Sequence, residues 1–151
     1  MTLDPTLKRK TLRKLLRHGA TTRAMKLAEK LPPRDIVEVY AILSGAEREL
    51  LTELLMGAPH GIDVLRELPT ELLDQLLRAI SDERLVELVE GRAAEVTALV
   101  LQHLPTTRCR TVCSALNPEH LRSVDPYLRA PRLNAVRARV AAFLSRRREL
   151  G

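Results

Sequence analysis

LPPRDIVEVYAIL at residues 31–43, LPTELLDQLLRAI at 68–80 and LPTTRCRTVCSAL at 104–116 align without a gap, at spacings of 37 and 36 residues. Their apolar columns fall at Ile36, Val39, Tyr40 and Leu43, then Leu73, Leu76, Leu77 and Ile80, then Cys109, Val112, Cys113 and Leu116. The i, i+3, i+4, i+7 spacing is one face of a helix. Ser44, Ser81 and Asn117 follow directly, each a good N-cap for a further helix. Glu47 completes a capping box and Pro118 occupies a first helical position. Each unit therefore opens with a short helix, turns and starts another, a period that marks helical-repeat architecture.

Working outward, Asp4-Pro5 and Asp125-Pro126 read as further cap-plus-proline starts, and Gly19, Gly57, Gly61 and Gly91 as breaks. Helices of roughly 10 residues do not hold themselves in water, so they must bury their Leu stripes on one another. The expectation is an all-α fold: a short right-handed α-solenoid, or superhelix, of about ten short helices, forming one domain over 1–151. Amphipathic helices close the ends. The first sets Leu7, Leu12, Leu15 and Leu16 against Lys8, Arg9, Lys10, Arg13, Lys14 and Arg17. The last sets Leu133, Val136, Val140, Phe143 and Leu144 against Arg132, Arg137, Arg139, Arg146, Arg147 and Arg148.

Composition narrows the function classes. Of 151 residues, 45% are hydrophobic, enough for a core, and only Tyr40, Tyr127 and Phe143 are aromatic, which argues against a β-sandwich or barrel. No apolar run approaches the ~20 residues of a membrane span, and no signal peptide is readable, so a cytoplasmic protein is expected. The net charge of +6 hides three blocks. Residues 1–30 sum to +7, 31–103 to −8 and 104–151 to +7. An acidic middle between basic ends suits self-association, or two partner surfaces of opposite sign.

No nucleophile elbow, phosphate-cradling loop, dinucleotide fingerprint or zinc-protease motif is present, and His18, His60, His103 and His120 are scattered. Catalysis is not expected. Cys109 and Cys113 lack zinc-ligand spacing, and the repeat alignment assigns them to core columns. Their Cβ atoms at i and i+4 lie roughly 5–6 Å apart, beyond the ~4 Å of a disulfide. The candidate partner-binding residues are Lys8, Arg9, Arg13 and Arg17 for an acidic protein, and Asp82, Glu83, Glu87 and Glu90 for a basic one. No cofactor is required, although Glu90 and Glu95 could hold a weakly bound magnesium ion with water retained. Nucleic-acid backbone binding by the basic end helices is a further alternative, but it lacks aromatic residues to stack bases.

TLRKLLRHGATTRAMKLAEKLPPRDIVEVYAIL at 11–43, ERELLTELLM at 47–56 and LRELPTELLDQLLRAISDERLVELVE at 65–90 together resemble the intracellular N-terminal domain of MgtE-type magnesium transporters. The resemblance covers about residues 11–105. It implies a helical superhelix related to modules of the flagellar motor switch protein, and magnesium sensing through acids that bridge to a CBS domain. The family's Asp-Asp-Ala-Ala-Asp segment falls on Gly91, Arg92, Ala93, Ala94 and Glu95, so one acid is kept and one charge reversed. A third repeat unit and an Arg-rich helix occupy 106–151 in place of a CBS domain. The resemblance thus implies a freestanding, bacterial module with the family fold and a weakened ion site, able to regulate or scaffold a protein partner.

Overall fold

A computed structural model describes residues 5–128 and 134–150. Eleven α-helices and two 3₁₀ turns make up their regular structure, with no strand. The helices are α1 (Pro5–Arg17), α2 (Thr21–Glu29), α3 (Pro33–Val39), α4 (Gly45–Met56), α5 (Gly61–Glu67) and α6 (Thr70–Arg78), followed by α7 (Asp82–Val89), α8 (Ala94–His103), α9 (Thr106–Ala115), α10 (Pro118–Val124) and α11 (Asn134–Leu150). The 3₁₀ turns are Tyr40–Ile42 and Asp125–Leu128. The fold is all-α, as expected. Asp4, Arg132 and Leu133, and the side chains of Phe143, Arg146, Arg147 and Arg148, lie outside the described residues.

All twelve residues of the four repeat columns are buried, from Ile36 to Leu116. Leu31, Leu68 and Leu104, which open the repeats, are buried too. Proline explains their shared geometry: a residue before proline is pushed into extended backbone, which stops the preceding helix. Leu68 and Leu104 accordingly sit at ψ 141°. The prolines then supply the first helical carbonyls. Ile36 N–H donates to Pro32 O, Leu73 N–H to Pro69 O at 3.0 Å and Cys109 N–H to Pro105 O at 2.9 Å.

The three expected caps form. Ser44 Oγ accepts from Glu47 N–H while Glu47 reaches back to Ser44 N–H, closing a capping box. Ser81 accepts from Arg84 N–H at 3.2 Å and Asn117 from Glu119 N–H at 2.9 Å. Substituting such a cap by alanine costs about 1 kcal/mol.

The chain divides into two compact units, Met1–Leu76 and Leu77–Gly151. In the first, α1 packs on α2, α3 and α4, while α5 packs on α3 and α4. Its core holds one polar chain of bonds. Thr52 Oγ1 donates to Arg48 O at 2.8 Å, which leaves the Tyr40 hydroxyl as donor to Thr52 at 2.9 Å. Arg48 Nε in turn donates to Tyr40 O. Burial pushes the Tyr40 phenol well above its ordinary pKa of 10.0.

In the second unit, α8 is buried from Val96 through Leu101, so it is apolar all round and packs on α7 and α10. Its one buried hydroxyl, Thr97, meets His120 Nε2 at 2.8 Å. Arg108 of α9 binds Asp82 Oδ1 at 2.6 Å, Leu77 O at 2.9 Å and Ile80 O at 2.5 Å. It thereby satisfies carbonyls at the end of α6 and a carboxylate at the start of α7. Tyr40 and Leu77 share one repeat column, and in both units an arginine takes the carbonyl at that column.

Three expectations are corrected. Leu7 is 48% exposed, because it lies five residues before buried Leu12 and hence about 140° around the helix from it. Asp125 starts no α-helix: α10 runs up to it, a single 3₁₀ turn follows, and its carboxylate takes Arg137 Nε at 3.1 Å. Gly61 is the first residue of α5 and ends no helix. It is needed for close approach, since a Cβ there would fall inside the Leu55 carbonyl.

Candidate partner-binding surfaces

The basic candidates sit on α1, a helix with no acid in its first turn and with Lys14 and Arg17 in its last, where cations complement the helix dipole. Gly19, at φ 69°, ends it: Gly19 N–H returns to Leu16 O and Ala20 N–H to Leu15 O, a Schellman closure. The inward stripe is Leu12 and Leu16, both buried. Arg9 reaches across to Glu38 of α3 and also bonds Thr6, so it works inside the unit. Lys8 is half-buried.

Arg13 is placed differently. Glu47 Oε1 stands 4.0 Å from its Nε, too far for a hydrogen bond, and that Nε is buried without an acceptor. Arg13 and Arg17 wall a groove of about 440 Å³ between α1 and α4, floored by Leu16, Ala46 and Leu50, with Ser44 and Glu47 on the α4 side. The same two arginines also line a second depression of about 300 Å³ with Lys10, Lys14 and His18. Four basic side chains and an imidazole thus surround it without a carboxylate. Lys10, Lys14 and His18 are absent from the residues chosen on charge alone. The i, i+4 spacing of Lys10 and Lys14 is their only sequence signal, and the α4 wall has none.

The acidic candidates on α7 are mostly engaged within their own unit. Asp82 is held by Arg108, and Glu87 pairs with Arg84 at 2.9 Å. Glu90 accepts Asn117 N–H at 3.2 and 3.3 Å, tying α7 to the start of α10. Glu83 is exposed and pairs with no basic group among the described residues. Glu95 lies half-buried in the first turn of α8, beyond the turn at Gly91, whose φ is 74°. Among the described residues no three His, Cys, Asp or Glu side chains converge as a metal site.

Cys109 and Cys113 are free thiols, fully buried in the core columns assigned to them. Hydrogen bonding to Cys113, against burial and with help from the Arg139 guanidinium, brings the Cys109 thiol down from 9.0 to about 7. Among the described residues no helix is long and apolar enough to cross a membrane.

No curated protein and no solved structure matches the chain. The family model of the MgtE intracellular N domain matches residues 31–129. The match begins at the first repeat and runs through the third, so the segment after residue 105 lies within it, while α1 and α2 precede it. Three proline-punctuated repeats, their buried columns and this match together show that the chain belongs to the MgtE intracellular N domain family.

Proposed function

We propose that this chain is a non-enzymatic interaction module, working in the cytoplasm, whose α1 surface docks an acidic protein partner. One observation carries the reading: Arg13 and Arg17 line two open depressions, whereas three of the four candidate acids at residues 82–90 are bonded within their unit. Charges facing a partner steer encounter and select it, and charges already paired do so far less. Lys8 lies about 160° around α1 from Lys10, away from this surface, and Arg9 already shares its charge with Glu38.

The test is charge reversal against the partner recovered by affinity capture from nuclease-treated native lysate. Lys14→Glu with Arg17→Glu should weaken binding at least about tenfold, a loss of ~1.4 kcal/mol. Glu83→Lys should leave it within about twofold. Equal loss from both, or from neither, would refute the reading.

Family membership favours a second reading, a magnesium-responsive regulator. It predicts a rise in melting temperature with millimolar magnesium that matched ionic strength does not reproduce, and an unchanged melt removes it.

A further inference from the structure

We propose that the two depressions on α1 form one composite site for a short acidic segment of the partner that carries an aliphatic side chain between its carboxylates. The inference rests on the reading that α1 docks an acidic protein, and it names what that protein presents.

Arg13 and Arg17 line both depressions, so an occupant of one lies against the other. The two differ in chemistry. The α1–α4 groove has an apolar floor of Leu16, Ala46 and Leu50, and Glu47 on its wall offsets one of its two arginines. A purely anionic ligand gains little there, whereas an aliphatic side chain covers that floor. The neighbouring depression, ringed by Lys10, Lys14 and His18 with the two arginines, exposes mostly their aliphatic stems, so the carboxylates pair with the charged ends of those side chains. A segment alternating acid and aliphatic residues matches both at once.

Two further observations point to an incoming acceptor. Arg13 Nε is buried and donates to nothing, although buried donors are almost always satisfied. A backbone carbonyl of the bound segment completes that bond without setting a second negative charge beside Glu47. Lys10 and Lys14, and Arg13 and Arg17, are also like-charged i, i+4 pairs, an arrangement that destabilises a helix until an anion screens it. No Phe, Tyr or Trp lines either depression, which leaves the His18 imidazole as the aromatic ring available to stack on a base.

The experiment is an amide-resolved NMR titration of the full chain with N-acetylated, C-amidated Glu-Glu-Leu-Glu-Glu. Glu-Glu-Ser-Glu-Glu and tripolyphosphate serve as competing probes. The expected result is saturable shifts at Arg13, Leu16, Arg17, Ala46 and Leu50, with the leucine peptide binding at least about fivefold tighter than the serine peptide. Lys14→Glu with Arg17→Glu should lower affinity for both peptides about tenfold or more. Leu50→Ser should erase the leucine preference while keeping the serine peptide's affinity.

Equal affinity for the two peptides overturns the proposal in favour of charge alone. Tripolyphosphate binding in the absence of peptide binding assigns the site to an inorganic polyanion. Shifts that grow with protein concentration and no added peptide assign it to a second copy of the chain. If the peptides fail while the captured partner still depends on Lys14 and Arg17, only this finer inference falls. If the partner ignores those residues, the parent reading falls as well.

Discussion

Replacing Arg108 by alanine should be among the most damaging single changes in the second unit. The side chain makes three bonds, to the Asp82 carboxylate at 2.6 Å and to Leu77 O and Ile80 O at 2.9 and 2.5 Å. Arg108 is 20% exposed and Asp82 32%, so the pair is partly screened but not a surface ion pair. A charged hydrogen bond in such a setting contributes about 1.5–3 kcal/mol, and water entering the vacated space recovers part of it. The expected net loss is about 2–4 kcal/mol. At about 2–4 °C per kcal/mol for a chain of this length, melting should fall by about 5–15 °C. Arg108→Lys keeps the charge but cannot span three acceptors, and should lose about half as much. Urea unfolding followed by circular dichroism measures these values, and a cycle with Asp82→Asn should show coupling of about 1 kcal/mol or more. A stability within about 0.5 kcal/mol of the parent for Arg108→Ala, or full rescue by lysine, would refute the reasoning.

Four further outcomes are expected. Thr52→Val should destabilise more than Tyr40→Phe in thermal melts, because the first strands the buried Tyr40 hydroxyl while the second leaves Thr52 bonded to Arg48 O; the difference should be about 1–2 kcal/mol. Burial raises the Tyr40 pKa above its unfolded value of 10.0, so the unfolded chain releases that proton first. Stability from this group is therefore complete below pH 10.0 and declines above it, and Tyr40→Phe should flatten the alkaline limb of a stability profile. Gly61→Ala should cost about 3 kcal/mol or more in chemical denaturation, since the new Cβ overlaps the Leu55 backbone carbonyl and no side chain can yield. Cys109 and Cys113 should resist a thiol reagent in the native chain and both react after unfolding, because burial outweighs the lowered pKa of Cys109; rapid native labelling would contradict their core placement.

Local rules made the fold legible. The Leu-Pro punctuation, the helical spacing and the caps at Ser44, Ser81 and Asn117 each act within a few residues, so they can be read along the chain. The structure places all of them as the pattern requires. Contacts that cross between helices were not legible. Nothing in the third repeat shows that Arg108 closes the α6–α7 turn, 26 residues before it at Asp82. The acids on α7 looked alike as charges, yet Asp82 and Glu90 bond to distant parts of the unit and Glu83 does not. The groove was equally hidden, because it exists only once α4 brings Ser44, Ala46 and Leu50 against Arg13 and Arg17. Leu7 departs from the pattern for a simpler reason: it belongs to the Leu-rich sequence of α1 but not to its inward stripe.

Hydrogen–deuterium exchange of the full chain, alone and saturated with its captured partner, tests most directly whether α1 is the docking surface. The account predicts new protection at residues 10–18 and 44–50, with residues 82–90 unchanged. Protection confined to 82–90, with 10–18 exchanging as in the free chain, would contradict it.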